Sequence, residues 1–158
     1  MDVLRKLGNA NKEFSRPKQG SKSPLHFLNY LELGVDLGFS EITYSLKKII
    51  MRSNQIADPI FGFYDRCFFE LPIDQEEESK ENLSSFDERA EIAKHVTPLN
   101  KFSEIKSHLQ EDKQGGLFYD NNLHQESLFN NFTHFYAYPG LVVEVVPETD
   151  QIASIGLY

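Results

Sequence analysis

Thr133-His134-Phe135-Tyr136-Ala137-Tyr138, Leu141-Val142-Val143-Glu144-Val145-Val146 and Ile152-Ala153-Ser154-Ile155-Gly156-Leu157-Tyr158 are the three runs that decide the fold class. They are rich in aromatic and β-branched residues, and Pro139-Gly140 and Pro147-Glu148-Thr149-Asp150-Gln151 separate them with turn chemistry. The pattern predicts a three-stranded antiparallel meander, because runs joined by short turns pair with their neighbours. The last run reaches Tyr158, so the C-terminal segment is expected to be structural and intolerant of truncation.

Working outward, Phe102, Ile105 and Leu109 share one face of a short helix that should stop before Gly115-Gly116. Ser85-Phe86-Asp87-Glu88 fits a capping box and predicts a helix from Phe86 to His95, broken at Thr97-Pro98. Alternation of Cys67, Phe69 and Leu71 against Phe68 and Glu70 predicts a strand over 67–71, ended or edged by Pro72. Ser40 is placed to cap a helix with Glu41 in its first turn. Ile42, Leu46, Ile49 and Ile50 then form one face, and Lys47, Lys48 and Arg52 suit its C-terminal end. Leu25 to Gly38 reads as a strand or extended segment. Val3, Leu4, Leu7, Ala10 and Phe14 predict a short amphipathic helix over 2–14, weakened by Gly8, and residues 15–24 have the composition of an exposed linker. The whole is a single α+β domain: an antiparallel sheet that includes the C-terminal meander, packed against two to four helices. Residues 1–24 form a basic helix and exposed linker, and residues 25–158 a compact acidic body.

A chain of 158 residues can bury a hydrophobic core without disulfides or metal, and thirteen Phe with seven Tyr and no Trp predict an aromatic-rich one. Cys67, the only cysteine, stands beside Phe68 and Phe69 and reads as an inert, buried thiol in a reducing compartment. No run has the ~18–20 apolar residues of a membrane span, and the first residues lack the apolar stretch of a secretory signal. The expected location is cytoplasmic. Residues 1–24 carry a charge of +4 and the remainder −12, so the total of −8 conceals an acidic body that should attract cationic partners and repel nucleic acid.

The chemistry-bearing residues name no reaction. Asp120, His124, Glu126 and His134 could converge on a small-molecule or catalytic site, the alternative to a binding function. Yet no His-x-x-x-His or His-x-His pair exists, and one cysteine excludes thiolate zinc motifs, so neither metal nor cofactor is predicted. There is no Gly-x-Ser-x-Gly elbow, phosphate loop or dinucleotide fingerprint, and a non-enzyme is expected. Phe129 to Tyr138 is aromatic enough to stack on bases, but no Lys or Arg follows Lys113 to supply a basic track. The acidic run Asp74, Glu76, Glu77, Glu78 and Glu81 is a solvated loop when taken alone. With Asp87, Glu88 and Glu91 on the next helix it can form one anionic binding surface.

A compact body, that acidic run and an α+β order closing in His134–Val146 and Ile152–Tyr158 together resemble the small acidic immunity proteins that bacteria make beside contact-dependent-inhibition or bacteriocin toxins. The resemblance implies a stoichiometric protein inhibitor whose acidic residues meet a cognate, basic toxin such as a nuclease, with no role for nucleic acid or membrane. It carries no diagnostic motif, and the basic leader departs from it.

Overall fold

In a computed structural model, the structure describes residues 2–16, 24–72, 95–109, 118–120 and 133–158. Helix α1 (Asp2–Leu7) leads into strand β1 (Lys12–Arg16). Strands β2 (Leu25–Tyr30) and β3 (Val35–Ser40) follow as a hairpin around a 3-10 turn at Leu31–Leu33. Next come β4 (Leu46–Arg52), the short pair β5 (Leu71–Pro72) and β6 (His95–Val96), and helix α2 (Phe102–Ile105). Strands β7 (Phe118–Asp120), β8 (His134–Tyr138), β9 (Leu141–Val146) and β10 (Gln151–Leu157) complete the described elements. Eight of these strands form one antiparallel sheet in the order β1-β2-β3-β4-β10-β9-β8-β7, while β5 and β6 pair apart from it. The predicted meander is therefore present as β8-β9-β10, and it is joined to the N-terminal strands through β10, which pairs with both β4 and β9.

The largest correction is β4. Ile42, Leu46, Ile49 and Ile50 fit a helical face, yet 46–52 is a strand held between β3 and β10. Ser40 does make cap-like bonds, its Oγ accepting from Ile42 N at 3.3 Å and Thr43 N at 3.2 Å, but these close a turn and no helix follows. Pairing on both edges outweighs a weak helical period in a run with two β-branched isoleucines. The helix expected over 2–14 is confined to Asp2–Leu7, because Lys12–Arg16 pair with Leu25–Asn29. Leu25 to Gly38 turns back at Gly34, and the strand expected over 67–71 is reduced to Leu71–Pro72. The helix expected over 86–95 lies outside the described residues except for His95, which is in β6. Phe102, Ile105 and Leu109 are buried together, but the helix covers only Phe102–Ile105 and Leu109 lies beyond its end.

The pleat sorts each strand's side chains by face. On one face Met51, Val143, Val145, Ile152 and Ile155 pack with Phe69, Val96 and α2, and Phe102 stacks on Tyr136 with ring centroids 4.2 Å apart. Leu28, Tyr30 and Leu37 form a second cluster, against which Val3 and Ala10 pack. This core is mostly aliphatic where an aromatic-rich one was expected, and Phe61, Phe63 and Phe68 are exposed. Asp36, Arg52 and Glu144, the alternate residues of β3, β4 and β9, belong to the other face.

Candidate functional site

A carboxylate isolated inside an apolar strand must find a partner, since burying an unpaired charge costs several kcal/mol. The second face of the sheet provides one. Arg52 lies between Asp36 and Glu144, with Nη2 3.1 Å from Asp36 Oδ2 and Nη1 3.5 Å from Glu144 Oε2. Asp36 Oδ1 also accepts from the Tyr64 hydroxyl at 2.8 Å and from the Asn29 amide. Glu144 accepts from Thr133 Oγ1 at 2.7 Å and Ser154 Oγ at 2.5 Å. Five side chains, those of Asn29, Arg52, Tyr64, Thr133 and Ser154, thus satisfy two buried carboxylates.

The loop after β4 is fixed by this network. Tyr64 places its ring 5.4 Å from the Arg52 guanidinium carbon, and burial with the Asp36 bond pushes its hydroxyl up to about 12, so it remains a donor. Arg66 Nε donates to Ser53 O at 2.9 Å, and Cys67 N to Arg52 O at 2.8 Å. At Gly34, where φ is +66°, a Cβ would stand 2.3 Å from Asp65 O and 2.7 Å from Cys67 N, so only glycine lets the loop lie against the β2–β3 turn.

Between this loop and the sheet is a cavity of about 390 Å³, with Arg52, Glu144 and Ser154 on its floor and Lys48, Tyr158 and Asp58 at its sides. Lys48 Nζ sits 4.4 Å from the centre of the Tyr158 ring. Asp58 is buried and accepts from Ile60 N at 3.0 Å. Burial raises its carboxyl to about 6, the Ile60 bond opposing, the Glu144 charge adding and Arg52 partly offsetting. The cavity can receive a polar or charged group by hydrogen bonds. Among the described residues that line it there is neither histidine nor cysteine, and the hydroxyls of Thr133 and Ser154 already donate to Glu144. The loop that closes it exposes Ile56 (83%), Phe61 (48%) and Phe63 (66%), large side chains that folding leaves in water.

Asp120 and His134 are register partners across β7 and β8, whereas His124 and Glu126 lie outside the described residues. Among the described residues no three His, Cys, Asp or Glu side chains are grouped to hold a metal. Asp74, Glu76, Glu77, Glu78, Glu81, Asp87, Glu88 and Glu91 all lie outside the described residues. Cys67 is half-buried, and burial pushes its thiol up. Sequence reading missed Arg52, which it placed at a helix end, and Asp36 and Glu144. The available signal was a single acid within Val35-Asp36-Leu37 and within Val143-Glu144-Val145.

The family model described as phagosome assembly factor 1 matches residues 2–158. The chain belongs to that family. A fruit-fly relative, "PHAF1 protein CG7083" of Drosophila melanogaster, is 28% identical over 178 aligned residues that cover 99% of this chain and 39% of the relative. The chain thus spans about two-fifths of the length of that relative. No solved structure matches it. Membership in the phagosome assembly factor 1 family overturns the resemblance to toxin-immunity proteins, and with it the stoichiometric toxin inhibitor and the basic toxin as partner. That resemblance rested on net acidity and element order, which many unrelated α+β domains share. Among the described residues no helix is long and apolar enough to cross a membrane.

Proposed function

We propose that this chain is a non-catalytic, cytoplasmic docking module that takes part in phagosome assembly by binding a protein partner through the loop after β4. The observation that carries this reading is the contrast within that loop. Tyr64 and Arg66 tie its end to the sheet, while Ile56, Phe61 and Phe63 stand in solvent beside a polar cavity. Pre-organised aromatic anchors flanked by hydrogen-bonding groups are the usual centre of a protein interface. The partner's matching surface is an apolar pocket with a polar side chain directed at Asp58 and Arg52. A non-catalytic role is supported by the protonated Tyr64, the raised Cys67 thiol and the hydroxyls committed to Glu144. The free Cys67 suits a reducing compartment.

The test is to restore phagosome formation in cells lacking the protein, using the native chain or a Phe61→Ser, Phe63→Ser variant within the full protein. The variant should retain the native melting temperature and fail to restore assembly. Equal restoration by both would refute the loop as the docking surface.

A further inference from the structure

The core face carries a second cavity, of about 530 Å³, lined by residues of α1, β1, β2, β3 and the turn at 41–45. Its walls are apolar: Val3 and Leu4 from α1, Leu28 from β2 and Phe39 from β3. A volume of this size with few polar groups is the form of a small-molecule site. The polar groups that line it are two carboxylates, Glu13 and Glu41, with the His26 imidazole and the Ser40 and Tyr44 hydroxyls. Glu13 pairs with His26, Oε2 to Nε2 at 3.4 Å, and the other ring nitrogen of His26 is 3.3 Å from Ser15 Oγ. The Glu41 carboxylate lines the same cavity and has no hydrogen bond or ion pair among the described residues.

Tyr44 supplies an independent observation. It lines the cavity with φ at +54°, a left-handed conformation that is a rare outlier for a bulky residue. The turn requires it: Tyr44 N donates to Ser40 O at 2.8 Å and Ser40 N to Ser45 O at 2.9 Å. Glycine would meet that requirement without strain. Tyr44 is 71% exposed, and its ring has no ring, cation or hydrogen-bond partner among the described residues to offset the strain. Strained residues of this kind collect at ligand clamps, and an aromatic face beside a carboxylate is suited to an organic cation.

We propose that this cavity binds an amphiphile with an aliphatic tail and a quaternary ammonium head, the tail against Val3, Leu4, Leu28 and Phe39, the head held by Tyr44, Glu41 and Glu13. This inference is independent of the docking loop, which belongs to the other face of the sheet.

The experiment titrates the protein with decyltrimethylammonium, below its micelle concentration, and with decanoate, which has a similar tail and the opposite charge. The cation should bind saturably and decanoate at least about tenfold more weakly, since the ring contact and the carboxylates together contribute about that order. Tyr44→Gly should raise the melting temperature and weaken cation binding about three- to thirtyfold. Glu13→Gln with Glu41→Gln should reduce the preference for the cation over decanoate. Flotation with phosphatidylcholine vesicles that is lost in Tyr44→Gly identifies a membrane lipid as the source of the head group; binding of the monomer alone identifies a free amphiphile. Absence of saturable binding, equal affinity for decanoate, or unchanged affinity in Tyr44→Gly overturns the proposal.

Discussion

Arg52 on β4 meets Asp36 on β3 diagonally, its Nη2 3.1 Å from the carboxylate although the backbone partner of Asp36 is Ile50. The diagonal offset lets the same guanidinium approach Glu144 on β9, across the intervening β10. One cation therefore serves two carboxylates and ties the two halves of the sheet together, while Tyr64 fastens the exposed loop to the same point. Arg52 thus adds a side-chain link to the backbone pairing of β10 with β4 and β9.

Replacing that residue leaves two buried acids uncompensated. Arg52→Ala should cost about 3–5 kcal/mol in urea denaturation at neutral pH. Adding Asp36→Asn and Glu144→Gln to an Arg52→Met background should recover most of the loss. A cost below about 1 kcal/mol for Arg52→Ala would mean that water already serves both carboxylates.

Asp58 gives a pH dependence of definite sign. Its carboxyl titrates near 3.8 when unfolded and is raised to about 6 in the fold, so the folded state holds the proton more tightly. Its contribution to stability is fullest below the unfolded value and is lost as the pH rises from about 4 to about 6. Asp58→Asn retains an acceptor for Ile60 N and removes the charge. It should flatten this part of the stability profile and stabilise the protein at pH 7 by up to ~3 kcal/mol. A profile identical to the native one between pH 4 and 7 would count against a buried, protonatable Asp58.

The meander was readable because strand propensity, turn residues and pairing of sequence neighbours agree in 133–158. Nothing local marks β4. Its neighbours are β3 and β10, the latter about a hundred residues later, and pairing on both edges decides against the helix that Ile42, Leu46 and Ile49 imitate. The site was hidden for the same reason. Asp36, Arg52 and Glu144 look like one solvated acid, one helix-end cation and another acid until the sheet order brings them together. Composition also misdirected the reading of phenylalanine, because an exposed Phe61 or Phe63 has the same sequence signature as a buried one.

Ile155 belongs to the main core cluster, on the strand that joins the two halves of the sheet. It is fully buried and pairs with Met51 on β4 and Val143 on β9. Ile155→Ala should lower stability by about 2–5 kcal/mol without altering the fold, measured by urea denaturation and far-UV circular dichroism. A loss smaller than that of a surface Ile42→Ala control would place the core elsewhere.

Gly34 and Gly140 separate the two reasons for which a glycine is needed. Both have positive φ, +66° and +72°, so alanine at either position carries about 1 kcal/mol of backbone strain. At Gly140 a Cβ would meet nothing within 4 Å, and Gly140→Ala should show that modest cost alone. At Gly34 the Cβ would collide with Asp65 O and Cys67 N, backbone atoms that can yield only if the loop moves away. That displacement would also strain the Tyr64–Asp36 bond, since Tyr64 immediately precedes Asp65. Gly34→Ala should therefore cost at least about 2 kcal/mol more than Gly140→Ala and speed proteolysis within residues 54–66, a change that Gly140→Ala should not produce. Equal costs, with no new cleavage in the loop, would show that the loop does not rest on the β2–β3 turn.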